Sequence, residues 1–174
     1  RANEGITTDG TNFYTSRGYG FSIDCDIEAI CRYNTSWHRD NLVEEKVINY
    51  DSSVSHIGDI DVYGDYVYAP LTDYTDSSTS REFLHITLFD KYTLEPFRYL
   101  DISHWADSSS YNIDKGDLSG VGINNGRLYI IEYQESVTPR IFSIPVDKVI
   151  NGIALNASDI LVYRHESLYA NGIE

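Results

Sequence analysis

Hydrophobic and polar positions alternate along this chain in short runs, each broken by Gly, Asn or Asp. Three segments carry the same pattern and align without a gap: "GITTDGTNFYTS" from Gly5, "DIDVYGDYVYAP" from Asp59 and "GVGINNGRLYII" from Gly120. A small or acidic residue precedes an aliphatic one in each (Gly5-Ile6, Asp59-Ile60, Gly120-Val121). A turn signal follows, at Asp9-Gly10, Tyr63-Gly64 and Asn124-Asn125-Gly126. A hydrophobic residue then precedes tyrosine: Phe13-Tyr14, Val67-Tyr68, Leu128-Tyr129. Alternation of period two predicts strands. Gly and Asn supply the positive φ that tight hairpins need. Each segment therefore predicts a strand, a tight turn and a second strand.

A third alternating run follows each hairpin: "AICRYN" from Ala29, "LHITLFDKYTLEP" from Leu84 and "RIFSIPVDKV" from Arg140. A weaker fourth comes after it: "EEKVINY", "FRYLDIS" and "DILVYRH". Four antiparallel strands in a repeat of roughly 50–60 residues predict a β-propeller blade. The expected fold is all-β, three four-stranded antiparallel blades over about residues 4–57, 58–118 and 119–174, as part of a larger propeller. Helical periodicity is confined to "CDIEAIC" and "VDKVINGIAL", each long enough for a turn or two. The polar stretches "TDYTDSSTSRE" and "HWADSSSYNIDKGD" are expected to be long loops that build up one face.

The repeats resemble those of six-bladed propellers of the NHL, strictosidine-synthase and gluconolactonase type, over nearly the whole chain from Glu4 to Glu174. "EGITTDGTNFYTS" is similar to the strand that opens a blade in those families. "RYN" and "LFDKYTLEP" resemble their third strand and the turn leaving it. Neither the WD signature nor a YWTD motif is present. The resemblance implies a ligand at one mouth of a central channel, lined by the innermost strands and the loops leading into them. Gly172-Ile173 falls where Gly5-Ile6, Asp59-Ile60 and Gly120-Val121 fall, as if a fourth repeat were opening. Propellers need about 4–8 blades. Three blades therefore read as a segment of a longer propeller, or as a subunit whose copies complete the ring.

Charge narrows the partners. The 174 residues hold 27 acidic and 13 basic side chains, a formal net charge of −14. No basic groove of the kind nucleic-acid binders need can be assembled from them, and anionic membranes would repel the chain. An excess of tyrosine, 15 against 6 Phe, agrees with strands. Cys25 and Cys31 are spaced for no common zinc site, and a local disulfide between them fits only an oxidising compartment. Asn34 ("NTS") and Asn156 ("NAS") are candidate glycan acceptors. Together these features predict a secreted or lumenal protein. With no signal peptide, no methionine and no membrane-length apolar run, the chain reads as a processed or excised piece of a longer product.

Candidate chemistry sits just before each opening strand. Oxygen ligands from several blades converging near an axis suit Ca²⁺, and Glu4, Asp59 and Asp117 are the candidate set. In gluconolactonase-like enzymes a Glu before a Gly at a blade start binds the metal; Glu4-Gly5 is similar, with Ile6 where those enzymes usually carry proline. His56 is the candidate general base, oriented by Asp59 or Asp61. Asp61, Trp37 and Trp105 are candidate ligand contacts, the two tryptophans because aromatics in polar loops grip sugars or partners. The same carboxylates can equally cap turns. "DIDVYGD" mimics the start of an EF-hand loop, but Tyr63 stands where Asp or Asn belongs and no Glu closes the loop. "GVGINNG" is explained by a hairpin. No G-x-S-x-G is present. The leading expectation is a module that binds a small molecule, protein or glycan through its loop face, with a Ca²⁺-dependent lactonase or arylesterase as the alternative.

Overall fold

A computed structural model describes residues 5–17, 28–34, 39–48, 56–72, 84–102, 117–134 and 137–164. They form three antiparallel sheets. The first runs β1 (Gly5–Thr8), β2 (Asn12–Arg17), β3 (Ala29–Asn34), β4 (Leu42–Val47) in that order. The second comprises β5 (His56–Ile57), β6 (Asp61–Tyr63), β7 (Tyr66–Thr72), β8 (Leu84–Asp90) and β9 (Pro96–Asp101), with β5 and β6 both paired to β7. The third runs β10 (Asp117–Asn124), β11 (Arg127–Gln134), β12 (Val137–Pro145), β13 (Leu161–Arg164). A short helix, α1 (Val146–Asn151), follows β12.

The three aligned segments fold alike. Phe13, Val67 and Leu128 are each the second residue of the second strand of their sheet. Their cross-strand partners correspond as well: Thr8 and Tyr33, Val62 and Phe89, Ile123 and Ile144. At the aligned turn position Gly10, Gly64 and Asn125 have φ of 89°, 62° and 49°, a region that L side chains other than Asn and Asp rarely enter. The turn chemistry thus sets each hairpin's register.

β5 and β6 are two pieces of one edge strand. Ile57 pairs with Leu71 and Val62 with Val67, at either end of β7. Between them the chain leaves β7 to meet the third sheet. The Asp59 amide donates to Ser119 O at 2.8 Å, and the Val121 amide donates to Asp59 O at 3.1 Å, a parallel bridge to Gly120. Gly58 permits this approach, because a Cβ there would stand 2.5 Å from Ser119 O.

The sheets pack face to face. Tyr14, Ile30 and Ile48 of the first repeat share a core with Val67, Ala69, Leu71 and Phe89 of the second. Tyr68, Leu84, Ile86 and Leu88 share another with Leu128, Ile130, Phe142 and Ile144 of the third. Alternation along β7 sends successive residues to opposite faces, so Val67 through Thr72 are all buried. The run "VYAPLT" is therefore apolar without a polar stripe.

One expectation is corrected. Ala29, Ile30 and Cys31 of "CDIEAIC" belong to β3 and are not helical, since cross-strand pairing with β2 and β4 outweighs one turn of helix. Cys31 is a free thiol, fully buried beside Ala29 and Tyr33; Cys25, its expected disulfide partner, lies outside the described residues. Burial pushes the Cys31 thiol up to about 11. "VDKVINGIAL" does give a helix, closed by Gly152 at φ 65°. The two polar stretches lie outside the described residues except at Thr72 and Asp117.

Candidate functional site at the junction of the sheets

The opening strands of the three repeats lie side by side, and aligned residues meet there. Gly5, Asp59 and Gly120 form one level. A Cβ at position 5 would collide with the Asp59 carboxylate, and one at 120 would stand 3.0 Å from the Asp59 Cβ. Two glycines thus make room for one aspartate. Oδ1 of Asp59 accepts from the Ile60 amide at 3.0 Å, and the Ile6 amide also donates to this carboxylate. Asp59 is exposed as a residue, yet its carboxyl lies against Gly5 of the first sheet and is partly desolvated there. That desolvation raises its pKa above the ordinary value, outweighing the backbone hydrogen bonds that lower it.

One level further in stand Thr7, Asp61 and Gly122, again aligned residues. Asp61 Oδ1 accepts from Thr7 Oγ1 at 3.0 Å and from its neighbour's amide, Val62 N, at 2.8 Å. Its Oδ2 accepts from Ile123 N at 2.7 Å. A single carboxylate therefore joins all three sheets. Buried links outside this level repeat the theme: Ser16 Oγ donates to Gly58 O at 2.8 Å, and Thr72 Oγ1 accepts from Leu118 N at 3.4 Å.

The remaining sequence candidates are distributed as follows. His56 is half-buried in β5, with its backbone paired to Thr72. Asp117 opens β10 opposite Tyr133. Glu4, Trp37 and Trp105 lie outside the described residues. Among the described residues no group of three or more His, Cys, Asp or Glu side chains is arranged to hold a metal ion. Asn34 and Asn156 are both exposed. The Asn156 side chain caps a 3-10 turn at Ala157–Asp159, accepting from Ser158 N at 3.0 Å.

A second feature escaped the sequence reading. Between β9 and the segment that follows α1 lies a groove of about 690 Å³. Leu100, Val149, Ile153, Leu155 and Ile160 give it apolar walls, and Arg98, Tyr99 and Lys148 stand along it. Arg98 lies over the Phe97 ring at 5.3 Å from its centroid, and Tyr99 stacks on His85 at 4.8 Å. "FRYLDIS" read as a weak fourth strand; its exposed aromatics, Phe97 and Tyr99, were the available signal.

No protein-family model matches the chain, and no curated protein matches it.

Proposed function

We propose that the three sheets are successive β-propeller blades and that the chain is a binding module rather than an enzyme. The blade reading is supported by the in-order meander of each sheet, the double-sided burial of the middle one and the adjacency of aligned opening strands. The likeness to NHL, strictosidine-synthase and gluconolactonase propellers belongs to this proposal. So does a secreted or lumenal setting, with Asn34 and Asn156 as exposed glycan acceptors. The binding face is the loop-rich end, and its ligand is a small molecule, a protein or a glycan.

One observation carries the preference for binding over hydrolysis. Both oxygens of Asp61 are occupied by framework donors on three sheets, and Asp59 is held by the Ile60 and Ile6 amides. Carboxylates so engaged serve as joints between sheets. The test is chelation and turnover. EDTA should leave Tm unchanged, and a panel of aryl esters and lactones should not be hydrolysed. A Tm that falls with EDTA, together with turnover, would favour the alternative, a Ca²⁺-dependent lactonase or arylesterase using Glu4, Asp59 and Asp117 as ligands and His56 as base.

The outer face of the third sheet supports the blade reading further. Tyr14 and Tyr68 are each fully buried beneath the following sheet, whereas the aligned Tyr129 is half-buried. Beside it Ile131, Leu161 and Tyr163 are 40, 43 and 47% exposed. A further blade, from the same parent chain or a second copy, would pack there. Solution mass distinguishes the two sources.

A further inference from the structure

The groove between β9 and α1 has its own logic, independent of the propeller reading. Its volume of about 690 Å³ falls in the range of small-molecule sites, about 300–1,000 Å³. Its walls are apolar, and Ile153 is 52% exposed within them. The charges along it differ in how they are spent. Lys148 Nζ reaches both oxygens of Asp159 at 2.8 Å and is neutralised. Asp101 stands 3.6 Å from His85 Nε2.

Arg98 is different. It is half-buried, yet pairs with no carboxylate among the described residues. Among the described residues no acid offsets Arg98, in contrast to Lys148 of the same groove. Its guanidinium is held in place by Phe97 on one side and by Gly152 on the other, where a Cβ would collide with Nη1. Gly152 thus closes α1 with φ 65° and also leaves space for Arg98. The result is a positioned cationic fork at the edge of an apolar trough.

We infer that this groove binds a small carboxylic acid, with the carboxylate on Arg98 and the apolar body along Leu100, Ile153, Leu155 and Ile160. A guanidinium offers two parallel donors that match a carboxylate. One unneutralised cation matches one negative charge. Asp101 on the same wall disfavours a doubly charged phosphate ester.

The probe is 4-phenylbutyrate, with its amide and its amine analogue as neutral and cationic counterparts, titrated by calorimetry and by amide-shift mapping. The acid should bind saturably, about tenfold or more tighter than the amide, with shifts centred on residues 98–101 and 149–160. Arg98→Gln should bring the acid down to the affinity of the amide while leaving the amide unchanged. Arg98→Lys should fall between. Gly152→Ala, which pushes the guanidinium aside without removing its charge, should weaken the acid selectively as well. Equal affinity for acid and amide, no saturable binding of the acid at millimolar concentration, or an unchanged acid affinity in Arg98→Gln would each overturn the assignment. Should Arg98→Gln lose its fold, the shift map and the acid-to-amide ratio of the unmodified protein decide alone.

Discussion

The carboxylate of Asp61 accepts a hydrogen bond from the backbone amide of Ile123 at 2.7 Å, across 62 residues of chain. The other oxygen holds Thr7 in the first sheet and the adjacent Val62 amide. One side chain thus adds to the short main-chain bridge at Asp59 and Gly120 and extends the link to the first sheet through Thr7. Replacing it should cost far more than a surface aspartate would. Asp61→Ala is expected to destabilise by about 2–4 kcal/mol, because charge-assisted bonds contribute about 1.5–3 kcal/mol each and are lost together. Asp61→Asn keeps one acceptor and should lose less. Urea denaturation of both variants checks this, and an Asp61→Ala midpoint equal to that of the parent would refute it.

Tyr14 and Tyr68 occupy aligned positions but should respond oppositely to loss of their hydroxyls. Tyr14 Oη donates to Asp9 Oδ2 at 3.1 Å. The Tyr68 hydroxyl is buried with no hydrogen-bond partner among the described residues. Burying an unsatisfied hydroxyl costs free energy. Tyr68→Phe should therefore leave stability unchanged or raise it, whereas Tyr14→Phe should lower it by about 1 kcal/mol. A pair of chemical-denaturation curves is sufficient.

Acid should weaken the fold through its turn aspartates. Asp90 Oδ1 accepts from Tyr92 N, Thr93 N and Thr93 Oγ1, at 2.9, 2.9 and 3.1 Å. These bonds, the Thr93 amide foremost, hold the carboxyl below its ordinary value. Asp159 is lowered chiefly by the Asn156 amide. At Asp9 burial pushes upward, but the Asn12 and Thr11 amides, Tyr14 and Lys91 outweigh it. A depressed folded-state pKa means that the unfolded chain binds more protons, so stability is present above the unfolded value of about 3.9 and is lost as pH falls through the folded one. Denaturation midpoints should decline from about pH 5 downward, and less steeply in Asp90→Asn. Asp59 works in reverse. Its raised pKa gives stability that is present at low pH and lost as pH rises through the folded value, so Asp59→Asn should help more at pH 7 than at pH 3.

Much of this fold is written in the chain. The hairpins are legible because Gly10, Gly64 and Asn125 mark the positive-φ positions, and the strands because alternation survives wherever one face is buried. The edge strand split around Gly58 was not legible, because its cause is the backbone of residues 118 and 119, remote in sequence. Asp61 was read as a ligand contact because a carboxylate near an opening strand suits either role. Only the positions of Thr7 and Ile123 reveal what occupies its oxygens. Cys31 looked like half of a staple; it is buried on the face of β3 opposite Ile30, among Ala29 and Tyr33. Arg98 gave no signal, since its setting depends on Gly152, far along the chain.

The covering of β7 from both sides has a consequence for trimming the molecule. Val67, Ala69 and Leu71 look one way and Tyr68 the other, so the strand at the centre of this repeat has no face suited to water. Excised alone, the repeat would present two oily flanks; removal of either neighbour strips one. Stability here belongs to adjacent pairs rather than to single repeats, and the central repeat takes part in both pairs.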